Sequence, residues 1–313
     1  MIPNRAVFAS CLTPTELYCR TEVEYYACGQ CPLCVARRSR EWRDRLMHEL
    51  DYWSVGGLFI TLTYEDSHLP DNGSLSMDDL QRFWKRLRKA LGRRKIKYFA
   101  VGEYGESPDP KFVRRYRYGL DNVGRPHYHA IVFGVSSSDL DLLTSAWSLG
   151  FLHIGEVNTV TVNYVLGYTQ KKLRKEEKYI YDSFDIKPPF QVQSKGLGRR
   201  WLEDNILLVK DTLSYTVNDV SRGLPRYYVK LLKALFGDDV IKSMLLDRAR
   251  DYTAQLEDEY RACKDPNYIR PDLEYLARGL KDDFVDWLKA TAQVKYNRLV
   301  FNLNKLKRRD VYG

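Results

Sequence analysis

The chain has 313 residues, 44% of them hydrophobic, which is enough to bury one or two ordinary cores and too apolar for a disordered chain. It carries a net charge of +9 with a pI near 9.1, so a polyanion is the expected partner. No run approaches the roughly 18 apolar residues of a membrane helix, and "MIPNRAVFASCLTP" lacks the apolar core of a secretory signal, so a cytoplasmic protein with no membrane partner is expected.

In chain order, residues 1–35 hold five of the six cysteines (11, 19, 28, 31 and 34; the sixth is 263) and show no clear periodicity. They read as an irregular, Cys-rich segment. Arg37 to Trp53 then reads as a helix, with Trp42, Leu46, Leu50 and Trp53 recurring at spacings of three and four and arginines filling the other positions. "GLFITLTY", Gly57 to Tyr64, is β-branched and aromatic and reads as a buried strand. After the turn-rich "EDSHLPDNGS", Ser76 with Asp79 forms a capping pattern that opens "MDDLQRFWKRLRKAL". There Leu80, Phe83, Trp84, Leu87 and Leu91 make an apolar stripe, and the other faces are almost wholly Arg and Lys. Gln81 to Ala100 carries nine basic residues and no acid.

"IKYFAVGEYG" and "HYHAIVFGV" read as further strands, separated by the Arg- and Pro-rich excursion "ESPDPKFVRRYRYGLDNVGRP". A helix is expected over Asp139 to Ser148, short strands at "FLHIGEV" and "TVTVNY", and a helix over "YVLGYTQKKLRKEEKYI". From about Ile206 the signals are helical and charged. The order predicts an α+β fold, a central antiparallel β-sheet with helices packed on one face. Three segments follow: 1–55, the Cys-rich part and its basic helix; 56–205, the sheet domain; and 206–313, a helical C-terminal region.

Chemistry concentrates at "GRPHYHAIVFG", Gly124 to Gly134. On a strand, His127 and His129 point to one face and Tyr128 to the other, where it packs inward with Ala130 and Val132. Two converging imidazoles suit a metal, and the preceding strand offers Glu103; a carboxylate beside two imidazoles fits a divalent ion with open positions better than a closed structural zinc. Glu106 falls beyond the strand end and is the weaker choice. Tyr164 and Tyr168, four apart on a helix, share one face with Lys171. Each pattern alone also fits surface or core packing; their combination raises the chemical reading.

Cys28-x2-Cys31-x2-Cys34 is a dense thiolate cluster in a chain without an export signal, so a disulfide framework is disfavoured and a metal favoured. A structural zinc with Cys11 as fourth ligand is expected, with Cys19 or His48 as alternatives, and the spacing is also compatible with an iron-sulfur cluster. Lys111, Arg114, Arg115 and Arg117, interleaved with Tyr116 and Tyr118, mix cations and stacking surfaces in the manner suited to single-stranded DNA. Arg82, Lys85 and Arg86 on the basic helix add to that surface. His68 and His153 read as residues without function, and Cys263 as a small buried hydrophobe.

The blocks "LFITLTY", "GRPHYHAIVFG" and "YVLGYTQKK" resemble, in order and spacing, the three motifs of HUH endonucleases. The two-tyrosine form resembles rolling-circle replication initiators. "CGQCPLCVARRSREWRDRLMHE", "VGEYGE", "SKGLGRRW" and "GLPRYYVKLL" extend the resemblance to microvirus phages of the gokushovirus type, over roughly residues 11 to 235. The resemblance implies an HUH endonuclease fold; Mg2+ or Mn2+ held by His127, His129 and Glu103; and Tyr164 and Tyr168 as nucleophiles that form a 5′-phosphotyrosine. It implies single-stranded DNA at a phage origin as substrate, host helicase and polymerase as partners, and the cytoplasm of the bacterial host as location. One departure stands out: a lysine often precedes the second tyrosine in that group, and here the residue is Gly167, leaving the basic role to Lys171. The competing readings are a non-catalytic zinc-containing nucleic-acid-binding protein and an HUH transposase or relaxase.

Overall fold

A computed structural model describes residues 5–19, 22–105, 124–170, 181–217, 219–263 and 283–312. The chain divides into two compact units, residues 39–206 and residues 1–38 with 207–313. The division falls inside helix α1, Pro32–Leu50.

The first unit is built on a five-stranded sheet. Its strands are β3 (Gly57–Tyr64), β4 (Lys97–Tyr104), β5 (Pro126–Phe133), β6 (Gly150–Glu156) and β7 (Phe190–Gln193). They lie in the order β6-β3-β5-β4-β7 with every neighbouring pair antiparallel. The α+β class and the antiparallel sheet agree with the sequence. The helices do not keep to one face as expected. Helix α2 (Met77–Leu91) and helix α3 (Leu140–Ala146) bury Leu80, Phe83, Trp84, Leu87, Leu143 and Ala146 with Ile60, Leu62, Tyr128, Ala130 and Val132. On the other face, Leu46 of α1 and Val162, Val165 and Leu166 of helix α4 (Thr159–Gln170) pack on Phe99, Val101, Ile131 and Phe133. The physical reason lies in β4 and β5, whose successive residues are apolar on both sides; a strand with two greasy faces needs a layer on each.

The apolar stripe read on α2 is fully buried, and Ser76 caps the helix by accepting from the Asp79 amide at 3.2 Å. α1 begins at Pro32, five residues before the expected start, and ends at Leu50. "TVTVNY" is corrected from strand to helix. Asn158 Oδ1 accepts from the Val160 and Thr161 amides at 2.8 and 3.0 Å, and Thr161 Oγ1 accepts from the Asn158 amide at 2.9 Å. This reciprocal cap starts α4 and overrides the β-branched run. After β7, unforeseen in the sequence, come the short helices α5 (Arg199–Asp204) and α6 (Ile206–Val209). Gly134, just past β5, needs glycine: its φ is +86°, and a Cβ there would sit 2.5 Å from the Lys95 carbonyl oxygen.

The second unit contains a 3-10 turn at Arg5–Ala9 and a hairpin of β1 (Thr15–Cys19) and β2 (Glu22–Tyr26), where the sequence suggested irregular chain. A second unforeseen hairpin, β8 (Ser214–Val217) with β9 (Val220–Gly223), precedes helices α7 (Arg226–Phe236), α8 (Asp238–Ala262) and α9 (Phe284–Tyr312). Ala6 and Ala9 pack with Leu256, Trp287 and Leu288, so the two ends of the chain share one small core. No helix among the described residues is long and apolar enough to cross a membrane.

Candidate functional site

The register of β4 against β5 sets Glu103 opposite His127, and β3 against β5 sets Thr61 opposite His129. Period-two alternation then turns both histidines to the α4 face while Tyr128 enters the core beneath α2. Glu103 Oε1 lies 2.9 Å from His127 Nε2 and 3.4 Å from His129 Nε2. Glu103 and His129 are only 5% and 4% exposed. One ligand atom from each of the three residues falls within 4.8 Å of the others.

The far nitrogens are anchored. His127 Nδ1 faces the Arg125 carbonyl oxygen at 3.2 Å, and His129 Nδ1 faces Thr61 Oγ1 at 2.9 Å. A carbonyl oxygen only accepts, so His127 carries a proton on Nδ1 and turns Nε2 toward the carboxylate. Placing Nε2 lone pairs beside a buried carboxylate is costly unless a proton or a cation sits among them. The donor set of two imidazole nitrogens and one carboxylate oxygen therefore fits a divalent cation with open positions.

Helix α4 brings the two tyrosines to the same histidine. The Tyr168 ring stacks on His129 with centroids 4.8 Å apart and planes at 10°; Tyr164 meets it edge-on at 5.3 Å. The two tyrosine rings are 5.0 Å apart, as one helical turn predicts. Tyr164 is 46% exposed, whereas Tyr168 is half-buried. Phe59 stacks near His129 at 5.8 Å and meets the Tyr164 edge at 5.8 Å, closing the apolar wall. Gly167, between the tyrosines, faces open space.

Glu103, His127, His129, Tyr164 and Tyr168 thus come together from β4, β5 and α4. Lys171, Glu106, Lys111, Arg114, Arg115 and Arg117 lie outside the described residues. Arg82, Lys85 and Arg86 are exposed on α2, across the sheet from the histidine face; Arg82 reaches Asp79 at 3.4 Å, and Arg86 donates to Ser148 Oγ at 3.0 Å. Thr61 and Phe59 escaped the sequence reading. Their parity in "LFITLTY" matches, but which strand they face is a matter of register.

Cys11, Cys28, Cys31 and Cys34 also converge, their Sγ atoms all within 4.8 Å of one another. Cys19 ends β1, with its side chain outside the described ones. His48, the other alternative ligand, is buried flat against Trp201 with ring centroids 3.7 Å apart, and burial pushes its pKa down to about 4. His68 is exposed and ion-paired with Glu65 at 2.6 Å, and His153 is exposed on β6. Cys263 is only partly buried, against the Ala6–Trp287 cluster.

Residues 57–173 match the profile of a family of replication-associated proteins, described by its ORF2 members. The chain is similar to Replication-associated protein ORF2 of Spiroplasma virus 4, 28% identical over 276 residues, covering 75% of this chain and 81% of the relative. Replication-associated protein VP4 of Bdellovibrio phage phiMH2K is 27% identical, covering 65% of this chain and 66% of its own. Replication-associated protein ORF4 of Chlamydia phage 1 is 27% identical, covering 68% and 54%. The matched region therefore spans about two thirds and about half of those last two relatives. No solved structure matches the chain.

Proposed function

We propose that this chain, which belongs with the replication-associated proteins of single-stranded DNA phages of the gokushovirus type, is the endonuclease that initiates their rolling-circle replication, built on an HUH fold. One observation carries the reading: His129, whose Nε2 is 3.4 Å from the Glu103 carboxylate, has both Tyr164 and Tyr168 against its ring. A core histidine would need neither a carboxylate partner nor two phenols one turn apart.

In this reading His127, His129 and Glu103 would hold Mg2+ or Mn2+. When bound, such an ion supplies Lewis-acid stabilisation of charge developing on a scissile phosphate. The chain's own residues do the rest. A phenol with a pKa of about 10 is ionised roughly once in a thousand molecules at pH 7 and needs help to attack. Lys171 is the cation proposed to stabilise the phenolate. Attack by a tyrosine oxygen forms an O–P bond to the DNA 5′ phosphate and breaks the bond to the preceding 3′ oxygen. A 5′-phosphotyrosine and a free 3′-OH result, and the bond energy is conserved without nucleotide hydrolysis. The second tyrosine cuts the regenerated origin while the first still holds the old end. Tyr164, the more exposed of the two, meets an incoming strand with less rearrangement.

The substrate is single-stranded DNA at the phage origin, and host helicase and polymerase in the bacterial cytoplasm extend the released 3′-OH. Lys111, Arg114, Arg115 and Arg117 are proposed to hold the strand near the cut. Arg82, Lys85 and Arg86 contribute to overall affinity at a distance from it.

The test is incubation with single-stranded circular phage DNA and Mn2+, followed by a denaturing gel for a covalent protein–DNA adduct. His127→Ala or His129→Ala should abolish the adduct and spare DNA binding. Tyr164→Phe and Tyr168→Phe should each leave some adduct, and the double replacement none. An adduct surviving the double replacement would place the nucleophile elsewhere. DNA binding by the unaltered protein without any adduct would favour the non-catalytic reading.

A further inference from the structure

The cysteine group does no work in the reaction just described and belongs to the unit formed by residues 1–38 and 207–313. Cys11 follows the first 3-10 turn, Cys28 follows β2, and Cys31 and Cys34 flank the start of α1. All four are free thiols. Cys11 Sγ lies 3.5 Å from Cys28 and 3.7 Å from Cys31, and Cys28 lies 4.0 Å from Cys34. Four thiolates around one zinc at about 2.3 Å in a tetrahedron stand about 3.8 Å apart, so these spacings are those of a single tetracoordinate ion. In an iron-sulfur cluster the thiolates bind different irons across bridging sulfides and cannot all crowd within 4.8 Å.

The bland alternative is a small apolar core of neutral thiols, since Val7, Phe8, Leu12, Tyr25 and Leu33 pack around them. The donors argue against it. The Cys28, Cys31 and Gln30 amides, the Leu12 amide and the Thr13 hydroxyl all point at Sγ atoms, at 3.2 to 3.5 Å. Arg37 Nη2 approaches Cys34 Sγ at 3.8 Å. A neutral thiol is a weak acceptor and does not repay so many oriented donors, whereas a tetrathiolate with net charge −2 does. The site also sits at the N-terminus of α1, whose first residue is Pro32, where the helix dipole favours negative charge.

We propose that Cys11, Cys28, Cys31 and Cys34 bind one structural zinc as a closed tetrathiolate. Zinc replaces four thiol protons, which leave to solvent, and no oxidant is involved. The ion ties the Cys11 loop, the end of the β1–β2 hairpin and the start of α1 to one point. These segments are too short to bury a core of their own, and cross-linking by metal is the usual substitute.

The experiment uses the full chain purified without chelator, with zinc per chain measured by mass spectrometry. The expected result is about one equivalent, kept in a His127→Ala, His129→Ala double variant and lost in Cys28→Ser and in Cys34→Ser, with Cys263→Ser unaffected. To separate metal loss from misfolding, zinc is stripped from the unaltered protein with a mercurial reagent and Co2+ is added. The intense visible bands of tetrahedral cobalt with thiolate-to-metal charge transfer should appear at one equivalent and disappear on adding zinc. A protein with no zinc that gives no cobalt spectrum overturns the proposal. So does zinc lost with the two histidines, iron with acid-labile sulfide, or a disulfide between any of the four cysteines.

Discussion

Replacing Tyr128 by Phe tests whether the two faces of β5 do separate jobs. Tyr128 is fully buried, and its oxygen accepts from the Ser76 amide at 2.8 Å while sitting 2.8 Å from the Tyr64 oxygen and 2.9 Å from the Ser76 carbonyl oxygen. Tyr64 in turn donates to Asp79 Oδ2 at 3.0 Å, so Tyr128 spends its single proton on either Tyr64 or Ser76. The Phe variant keeps the ring against Trp147 and Phe190 but strands the Ser76 amide at the start of α2. Losing an acceptor for a buried amide costs about 1–3 kcal/mol, and the hydroxyl's own hydrogen bond about 1 more. For a unit the size of residues 39–206, each kcal/mol lowers the melting temperature by about 2–4 °C. The variant should therefore melt roughly 5–12 °C lower by circular dichroism, with faster hydrogen exchange at the Ser76 amide. At 20 °C it should nick single-stranded DNA at nearly the normal rate, because His127 and His129 face the other way. Unchanged melting, or lost nicking in a protein still folded at the assay temperature, would refute the division of labour.

Thr61→Val removes the oxygen 2.9 Å from His129 Nδ1 without changing side-chain size. The expected result is about a 10–100-fold weaker dependence on added Mn2+ in nicking, with Thr61→Ser close to normal; equal Mn2+ titrations for all three proteins would show that the rings of Tyr168 and Phe59 hold the imidazole unaided. His48 carries a pH prediction. Its folded pKa, depressed to about 4 from 6.5 by burial against Trp201, means that the unfolded chain takes up a proton the folded ring refuses. Its stabilising contribution is therefore complete above pH 6.5 and is lost as pH falls toward 4, up to about 3 kcal/mol. Urea midpoints of the unaltered protein should drop between pH 7 and pH 5, and His48→Gln should flatten that drop. An identical pH slope in the variant would assign the sensitivity to other groups.

The sequence by itself determined what depends on near neighbours. Alternation along "PHYHAIVF" decides that His127 and His129 share a face, because successive residues of any extended chain point to opposite sides. The spacing of Leu80, Phe83, Trp84, Leu87 and Leu91 decides the buried stripe of α2 in the same way. "TVTVNY" shows where this legibility ends: its β-branched residues suit either period, and a cap formed by Asn158 and Thr161 tipped the balance to helix. Only tertiary structure decided which strand lies beside which and in what register. A one-residue slip of β4 against β5 would carry Glu103 to the α2 face, away from the histidines, and nothing within β4 forbids it. The sheet order sets α4 over β5, so that two tyrosines some 35 residues downstream close on His129. Likewise, Cys28, Cys31 and Cys34 advertise a cluster by spacing, but Cys11 joins them, and Ala6 meets Trp287, only because distant segments bury one another. Such pairings follow from the area that each alternative packing removes from water, a sum over the whole chain that no local window contains.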